Sequence, residues 1–246
     1  MCAGTGSTLE FAQDAMAGLH VIINDIKKHH KLKKVRMLDV PCGDMQWMSH
    51  FLETRYDIIY TGFDIVPNII EHHRKTYADR PWTFRNVDIA SDSNFVNTFD
   101  IVLIRHMLQH LDYSAIFTIL KKLSAETRQP SFLLASTFSS EQMNIELNTR
   151  LRGRCRFLNL ELAPLRLEPP ICLMHDGFHG PNYLGLWRIP IMTIPKPFCS
   201  QSKPTPIRTP KSVCLKSKSS AQFNRLSTAS LYSCIHWKIS DLASNL

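Results

Sequence analysis

Phe11, Ala15, Leu19, Ile22, Ile23 and Ile26 recur at helical spacing, which predicts a helix running to about His30. Ser7 and Glu10 ahead of them have the spacing of a capping box, and Lys27, Lys28, His29 and His30 suit the negative end of that helix. Val35 to Val40 is a short apolar run broken by Pro41-Cys42-Gly43, the pattern of a buried strand entering a tight loop. Asp44 is placed to cap a helix from Met45 to about Glu53.

The alternation then repeats. Ile58 to Phe63 reads as a strand ending at Asp64, and Pro67 suits the first turn of a helix to about Tyr77. Trp82 to Val87 is a third strand ending at Asp88, and Phe99 to Ile104 a fourth, apolar throughout except for Asp100. A helix is expected from Met107 to Ser124 and a fifth strand from Ser131 to Ser136. Strands separated by helices imply βαβ units, hence an α/β, Rossmann-like, doubly wound and mainly parallel sheet with helices on both faces. Beyond Leu151 the pattern loosens. Phe157 to Leu160 and Tyr183 to Trp187 have the look of strands, with a proline-interrupted segment from Pro164 to Pro170 between them.

After Pro190 the composition changes. Pro195, Pro197, Pro204, Pro206 and Pro210 lie among Ser, Thr and Lys, too few apolar residues to offset the entropy of ordering. The expected organisation is a domain over residues 1–192 and a basic, largely disordered tail over 193–246, with Leu231 to Trp237 as the one stretch able to add an edge strand. The tail also changes how the net charge of +8 is read. Thr193 to Leu246 holds eight Lys or Arg and one acid, Asp241, so the first 192 residues are nearly neutral. A specific nucleic-acid groove is therefore not expected. No run approaches the ~18 apolar residues that span a bilayer. Seven singly placed cysteines without a Cys-x-x-Cys pair read as reduced thiols, and cytoplasm is the expected compartment.

In open α/β sheets ligands bind beyond the carboxyl ends of the strands, where strand order reverses. The first four strands end there on Asp39 to Asp44, Asp64, Asp88, and Arg105 with His106. Asp64, 25 residues after Asp39, stands where an acid hydrogen-bonds ribose hydroxyls, and Asp88 can accept from an adenine amine. The first loop separates two kinds of nucleotide. A pyrophosphate site uses Gly-x-Gly-x-x-Gly at a helix N-terminus. Here one glycine, Gly43, is flanked by Asp39 and Asp44, which would repel pyrophosphate and suit a ligand carrying an ammonium and a sulfonium. Charge alone favours S-adenosylmethionine over NAD.

These residues carry a resemblance. VRMLDVPCGDMQWM resembles motif I of class I S-adenosylmethionine-dependent methyltransferases, in the variant form with Pro-Cys-Gly. YTGFDIVPNII resembles motif II, NVDIA the third-strand motif, FDIVLIRHMLQHL motif IV with the helix after it, and SFLLASTF the fifth strand. GTGSTLE and LNLELAPLRLEPP resemble a subgroup of small stand-alone methyltransferases with an Asp-x-Pro-Cys-Gly-Asp motif. The resemblance covers roughly Gly4 to Pro190. It implies S-adenosylmethionine as cofactor, with contacts from Asp39, Pro41, Cys42, Gly43, Asp64, Ile65, Asp88 and Ile89. Asp44 and Arg105 complete the expected cofactor set, Arg105 being equally suited to a structural ion pair. The acceptor expected by elimination is a small molecule or glycan. The competing reading is a degenerate cofactor-binding protein without turnover.

Other polar residues weigh less. Cys42 is expected to be a small filler rather than a nucleophile, and Trp47 to pack. His106 and His110 fall four apart on the expected helix, but no Glu follows His106 as in a His-Glu-x-x-His zinc site, so no metal is expected. His110 is the candidate general base for an oxygen or nitrogen acceptor. An Asn- or Asp-Pro-Pro-aromatic segment that would hold a flipped base is missing after the fourth strand, where Arg105-His106-Met107-Leu108 stands instead.

Overall fold

The computed structural model describes residues 7–92, 99–125, 131–139, 142–147, 155–177 and 181–191. The expected tail, including Leu231 to Trp237, and the opening Gly4-Thr5-Gly6 lie outside the described residues. Four helices and seven strands are seen among them. In chain order they are α1 (Gln13–His29), β1 (Val35–Asp39), α2 (Gln46–Leu52), β2 (Ile58–Asp64), α3 (Pro67–Thr76), β3 (Thr83–Asn86) and β4 (Ile101–Ile104). These are followed by α4 (Tyr113–Ala125), β5 (Phe132–Phe138), β6 (Cys172–His175) and β7 (Asn182–Arg188).

The strands form one sheet in the order β3-β2-β1-β4-β5-β7-β6, with β7 antiparallel to both neighbours. β1 pairs in parallel with β2 on one side and β4 on the other, so the order reverses between β1 and β4. That crevice is where a doubly wound sheet opens a ligand site. The expected mainly parallel, doubly wound sheet is the one observed.

Alternate residues of the central strands feed two cores. Met37 of β1 and Leu103 of β4 pack with Leu19, Ile22, Ile23 and Ile26 of α1 and Trp47 and Met48 of α2. Leu38, Val102 and Ile104 pack on the opposite face with Ile116, Ile119 and Leu123 of α4. Each such side chain, fully buried, contributes about 1.5–3 kcal/mol relative to exposure. Asp100, the acid in an otherwise apolar run, precedes β4 and is satisfied by Arg36 of β1, whose guanidinium reaches its two oxygens at 2.6 and 3.2 Å.

Several local expectations are corrected. The capping box at Ser7 and Glu10 does not form. The helix begins at Gln13 with Ala12 before it, and the Ser7 hydroxyl instead donates to Asp44 Oδ2 at 3.5 Å. α2 starts one residue later than expected, with left-handed Met45 (φ 62°) rather than Asp44 at its N-cap and no side-chain cap, while Asp44 accepts the Gln46 N–H at 3.3 Å just ahead of the helix.

The helix expected from Met107 is broken. His106 is left-handed at φ 55°, a single 3-10 turn covers Leu108–His110, and α4 starts only after Asp112, whose carboxylate accepts the Ala115 N–H at 2.8 Å. His106 and His110 therefore do not share a helix face. Phe157 to Leu160 is not a strand. It is held by Asn144, which accepts from the Asn159 N–H at 2.8 Å and donates to the Asn159 carbonyl at 2.7 Å. In its place β6 completes the sheet, with Cys172 and Met174 buried and Leu173 turned outward.

Candidate functional site

The loop from β1 to α2 crosses over the end of β2 and is fixed there by backbone groups. The Cys42 N–H donates to the Phe63 carbonyl at 2.8 Å, and the Gly43 N–H to Asp64 Oδ2 at 3.2 Å. The Gly43 carbonyl accepts from His73 Nε2 at 2.6 Å. Gly43 has φ 56°, a backbone conformation that costs glycine little and other residues more. Gly62 of β2 makes the crossing possible, since a Cβ there would come within 2.9 Å of both Cys42 Cβ and the Tyr60 hydroxyl. Gly62→Ala should therefore destabilise the fold by about 1–3 kcal/mol, the usual penalty of overpacking. A urea midpoint unchanged from wild type would show that the loop has slack.

Asp64 sits at the end of β2, 5% exposed, and its second oxygen accepts the Val66 N–H at 2.9 Å. A carboxylate has about four acceptor positions, so two backbone bonds leave capacity for hydroxyl donors. Beside it Ile65 is 62% exposed, an apolar side chain presented to the outside at the rim of the site. Asp88 is exposed beyond β3 and caps the next turn through the Ala90 N–H at 2.9 Å, whereas the Ile89 side chain is buried in the core. Pro41 is half-buried between Val40 and Cys42. The structure thus brings Asp39, Pro41, Cys42, Gly43, Asp44, Asp64 and Ile65 to the carboxyl ends of β1 and β2, with Asp88 and Ile89 beyond β3 and Arg105 beyond β4.

Asp39 is nearly inaccessible and accepts from the Tyr60 hydroxyl at 2.9 Å. Burial pushes its carboxyl up to about 7, against the downward pull of the Tyr60 hydrogen bond and the Arg105 charge. The Cys42 thiol is buried, and desolvation, with Asp39 and Asp64 close by, pushes it far above its ordinary value. A thiol so disfavoured as thiolate does not act as a nucleophile, as its sequence context implies.

The sequence sets Arg105 and His106 at the end of β4 but does not reveal the partners that meet them there, Asp176 and Asn182. Arg105 donates from Nε to Asp176 Oδ1 at 2.7 Å, and its guanidinium lies 5.3 Å from the centre of the Trp47 ring. His106 Nε2 lies 2.6 Å from Asp176 Oδ2, which also accepts from Asn182 Nδ2 at 2.8 Å. The His106 N–H donates to Ser136 Oγ at 2.9 Å. Burial works against charge on Asp176, which is wholly inaccessible, but His106 and Arg105 outweigh it and hold the carboxyl below its ordinary value. Asp176 and Asn182 come from the β6–β7 region, 71 and 76 residues from their partners. No local pattern announces such a pairing. His110, by contrast, is exposed at the end of the 3-10 turn.

Residues 38–129, which hold this loop, β2 to β4 and α4, match the family described as Methyltransferase domain. No curated protein sequence matches the chain. Among solved structures, the 1,6-didemethyltoxoflavin-N1-methyltransferase of Burkholderia thailandensis, with bound 1,6-didemethyltoxoflavin and S-adenosylhomocysteine, is 20% identical. That likeness covers 72% of this chain and 79% of that one at a TM-score of 0.51. A protein from Pyrococcus horikoshii OT3 is 16% identical over 76% of this chain and 96% of its own, also with a TM-score of 0.51. At such identities these two likenesses speak for the fold. The matched segment makes residues 38–129 similar to a methyltransferase domain.

Proposed function

We propose that this chain transfers a methyl group from S-adenosylmethionine to a small-molecule or glycan acceptor, using the crevice between β1 and β4. The observation that carries the reading is the Gly43 loop held against Asp64 with Ile65 exposed beside it. That arrangement fits a nucleoside. Asp64 has acceptor capacity for ribose hydroxyls, and Ile65 offers an apolar surface to the flat face of adenine. Asp88 is an acceptor for the adenine amine, Pro41 lines the rim, the buried Ile89 supports the turn from the core, and Asp39, Cys42 and Asp44 flank the loop on the side suited to the ammonium. Arg105, engaged with Asp176, serves by shaping the site more than by direct contact. When bound, S-adenosylmethionine supplies an activated methyl whose departure leaves a neutral thioether.

The protein's own part is alignment, exclusion of water and removal of one proton. His106, rather than His110, is the better-held histidine for that proton. It lies directly beyond β4, and donation from its Nε2 to Asp176 makes Nδ1 the basic nitrogen. The acceptor proton passes to that nitrogen as the acceptor heteroatom bonds to the methyl carbon, and the buried carboxylate stabilises the resulting imidazolium.

Incubating the protein with methyl-labelled S-adenosylmethionine and a fractionated cell extract should place label in the low-mass or glycan fraction. Label confined to nucleic acid or protein would overturn the acceptor class. In calorimetry S-adenosylhomocysteine should bind in the micromolar range and NAD should give no heat.

A further inference from the structure

We propose that His73 is a positioning residue that holds the cofactor loop in its binding shape through the carbonyl of Gly43. The inference rests on the reading that this loop lines the cofactor site. His73 belongs to α3, a helix that otherwise serves to cover β2 and β3, and it is 2% exposed. Its Nε2 lies 2.6 Å from the Gly43 oxygen. A carbonyl only accepts, so Nε2 carries the hydrogen and donates.

Gly43 is thereby gripped on both sides, its N–H by Asp64 and its carbonyl by His73, within a loop whose previous amide is already bound to Phe63. Glycine at positive φ has many conformations open to it, and two directional bonds select one of them before any ligand arrives. The ring of His73 also packs against Phe84 and Tyr77, at 5.1 and 5.8 Å between centroids. A phenylalanine could satisfy that packing. It could not donate.

The second ring nitrogen, Nδ1, is buried without a hydrogen-bond partner. Protonating it would place a cation where nothing accepts its new hydrogen, and burial accordingly lowers the basicity of His73, with His72 adding to the effect. The Gly43 hydrogen bond and the carboxylates of Asp64 and Asp44 pull the other way. These, with Tyr77 just beyond the end of α3, are the titratable neighbours of the ring. Below the ordinary histidine range near ~6.5 the proton drives the ring from its slot and the clamp opens.

Two variants separate the clamp from packing. His73→Phe keeps the ring and loses the donor. His73→Gln keeps an amide donor and does not titrate. S-adenosylhomocysteine should bind His73→Phe roughly five- to tenfold more weakly than wild type, the scale of one hydrogen bond, and His73→Gln should recover most of that loss. Lowering the pH from about 7.5 to about 5.5 should weaken wild type more than His73→Gln, because every other ionisable group is common to both and only His73 differs. Equal affinity in wild type and His73→Phe, or identical pH profiles for wild type and His73→Gln, would overturn the proposal. The clamp is also read in the ligand-free protein. The Gly43 amide should exchange faster with solvent in His73→Phe, and unchanged protection would overturn it even if cofactor binding itself behaved unexpectedly.

Discussion

Asp176→Ala should lower folding stability by about 3–5 kcal/mol, the cost of breaking a buried ion pair from one side. Asp176 is wholly inaccessible, and the Arg105 and His106 side chains that meet it are 6% and 22% exposed. Removing the carboxylate strips Arg105 of a counter-charge at 2.7 Å and takes from Asn182 the oxygen its amide donates to. Asp39 feels the Arg105 charge and can offset part of the loss. Asp176→Asn, which keeps the shape, should lose less. The pH dependence follows from the direction of the shift. A carboxyl held below its ordinary value contributes stability that is present above about pH 4 and disappears as pH falls through the folded-state value. Wild type and Asp176→Ala should therefore converge in acid. Urea unfolding that differs by less than about 1 kcal/mol at neutral pH would make the cluster a surface ornament.

The second large effect falls on the ligand. Asp64→Ala should weaken S-adenosylhomocysteine by about 1.5–3 kcal/mol, the scale of hydrogen bonds to a charged group. Two contributions combine. The ribose loses its acceptor, and the Gly43 and Val66 N–H groups lose theirs, so the loop and the start of α3 are freed together. Asp64→Asn retains one acceptor oxygen and should fall between. Calorimetry on the folded variant decides the matter, and an unchanged dissociation constant would remove Asp64 from the site.

Strands such as β1, β2 and β5 were legible in the sequence because their apolar runs end on a turn or an acid within a few residues. Asp64 and Pro67 mark both the end of β2 and the start of α3, and the structure places them there. What escaped depended on distant partners. His106 cannot continue a helix because Ser136 and Asp176 hold it in a left-handed turn, and nothing within ten residues of His106 says so. Phe157 to Leu160 has a strand's composition, yet it meets β5 only through the Phe138 N–H and the Thr137 hydroxyl, and Asn144 takes the backbone of Asn159. β6 hid because Leu173, 41% exposed, blurs the alternation of Cys172 and Met174. Nothing in the sequence distinguishes His73 from His72 beside it. Only the packing of α3 on β3 shows that one of the pair faces inward.

The position of the β6–β7 hairpin has a consequence for how the molecule assembles. β1 pairs with β2 across 23 residues, whereas Arg105 and Asp176 lie 71 apart and β7 must insert between β5 and β6 in the antiparallel sense. Contacts spanning so much chain carry a large loop-closure cost and form late. A growing polypeptide can shape the Gly43 loop and Asp64 while its last strands are still being made. Arg105 and His106 must wait for Asp176. The half of the crevice built by β1 and β2 is thus local in sequence, whereas Arg105, over the Trp47 ring in the folded protein, meets Asp176 only once the chain beyond β6 has been made.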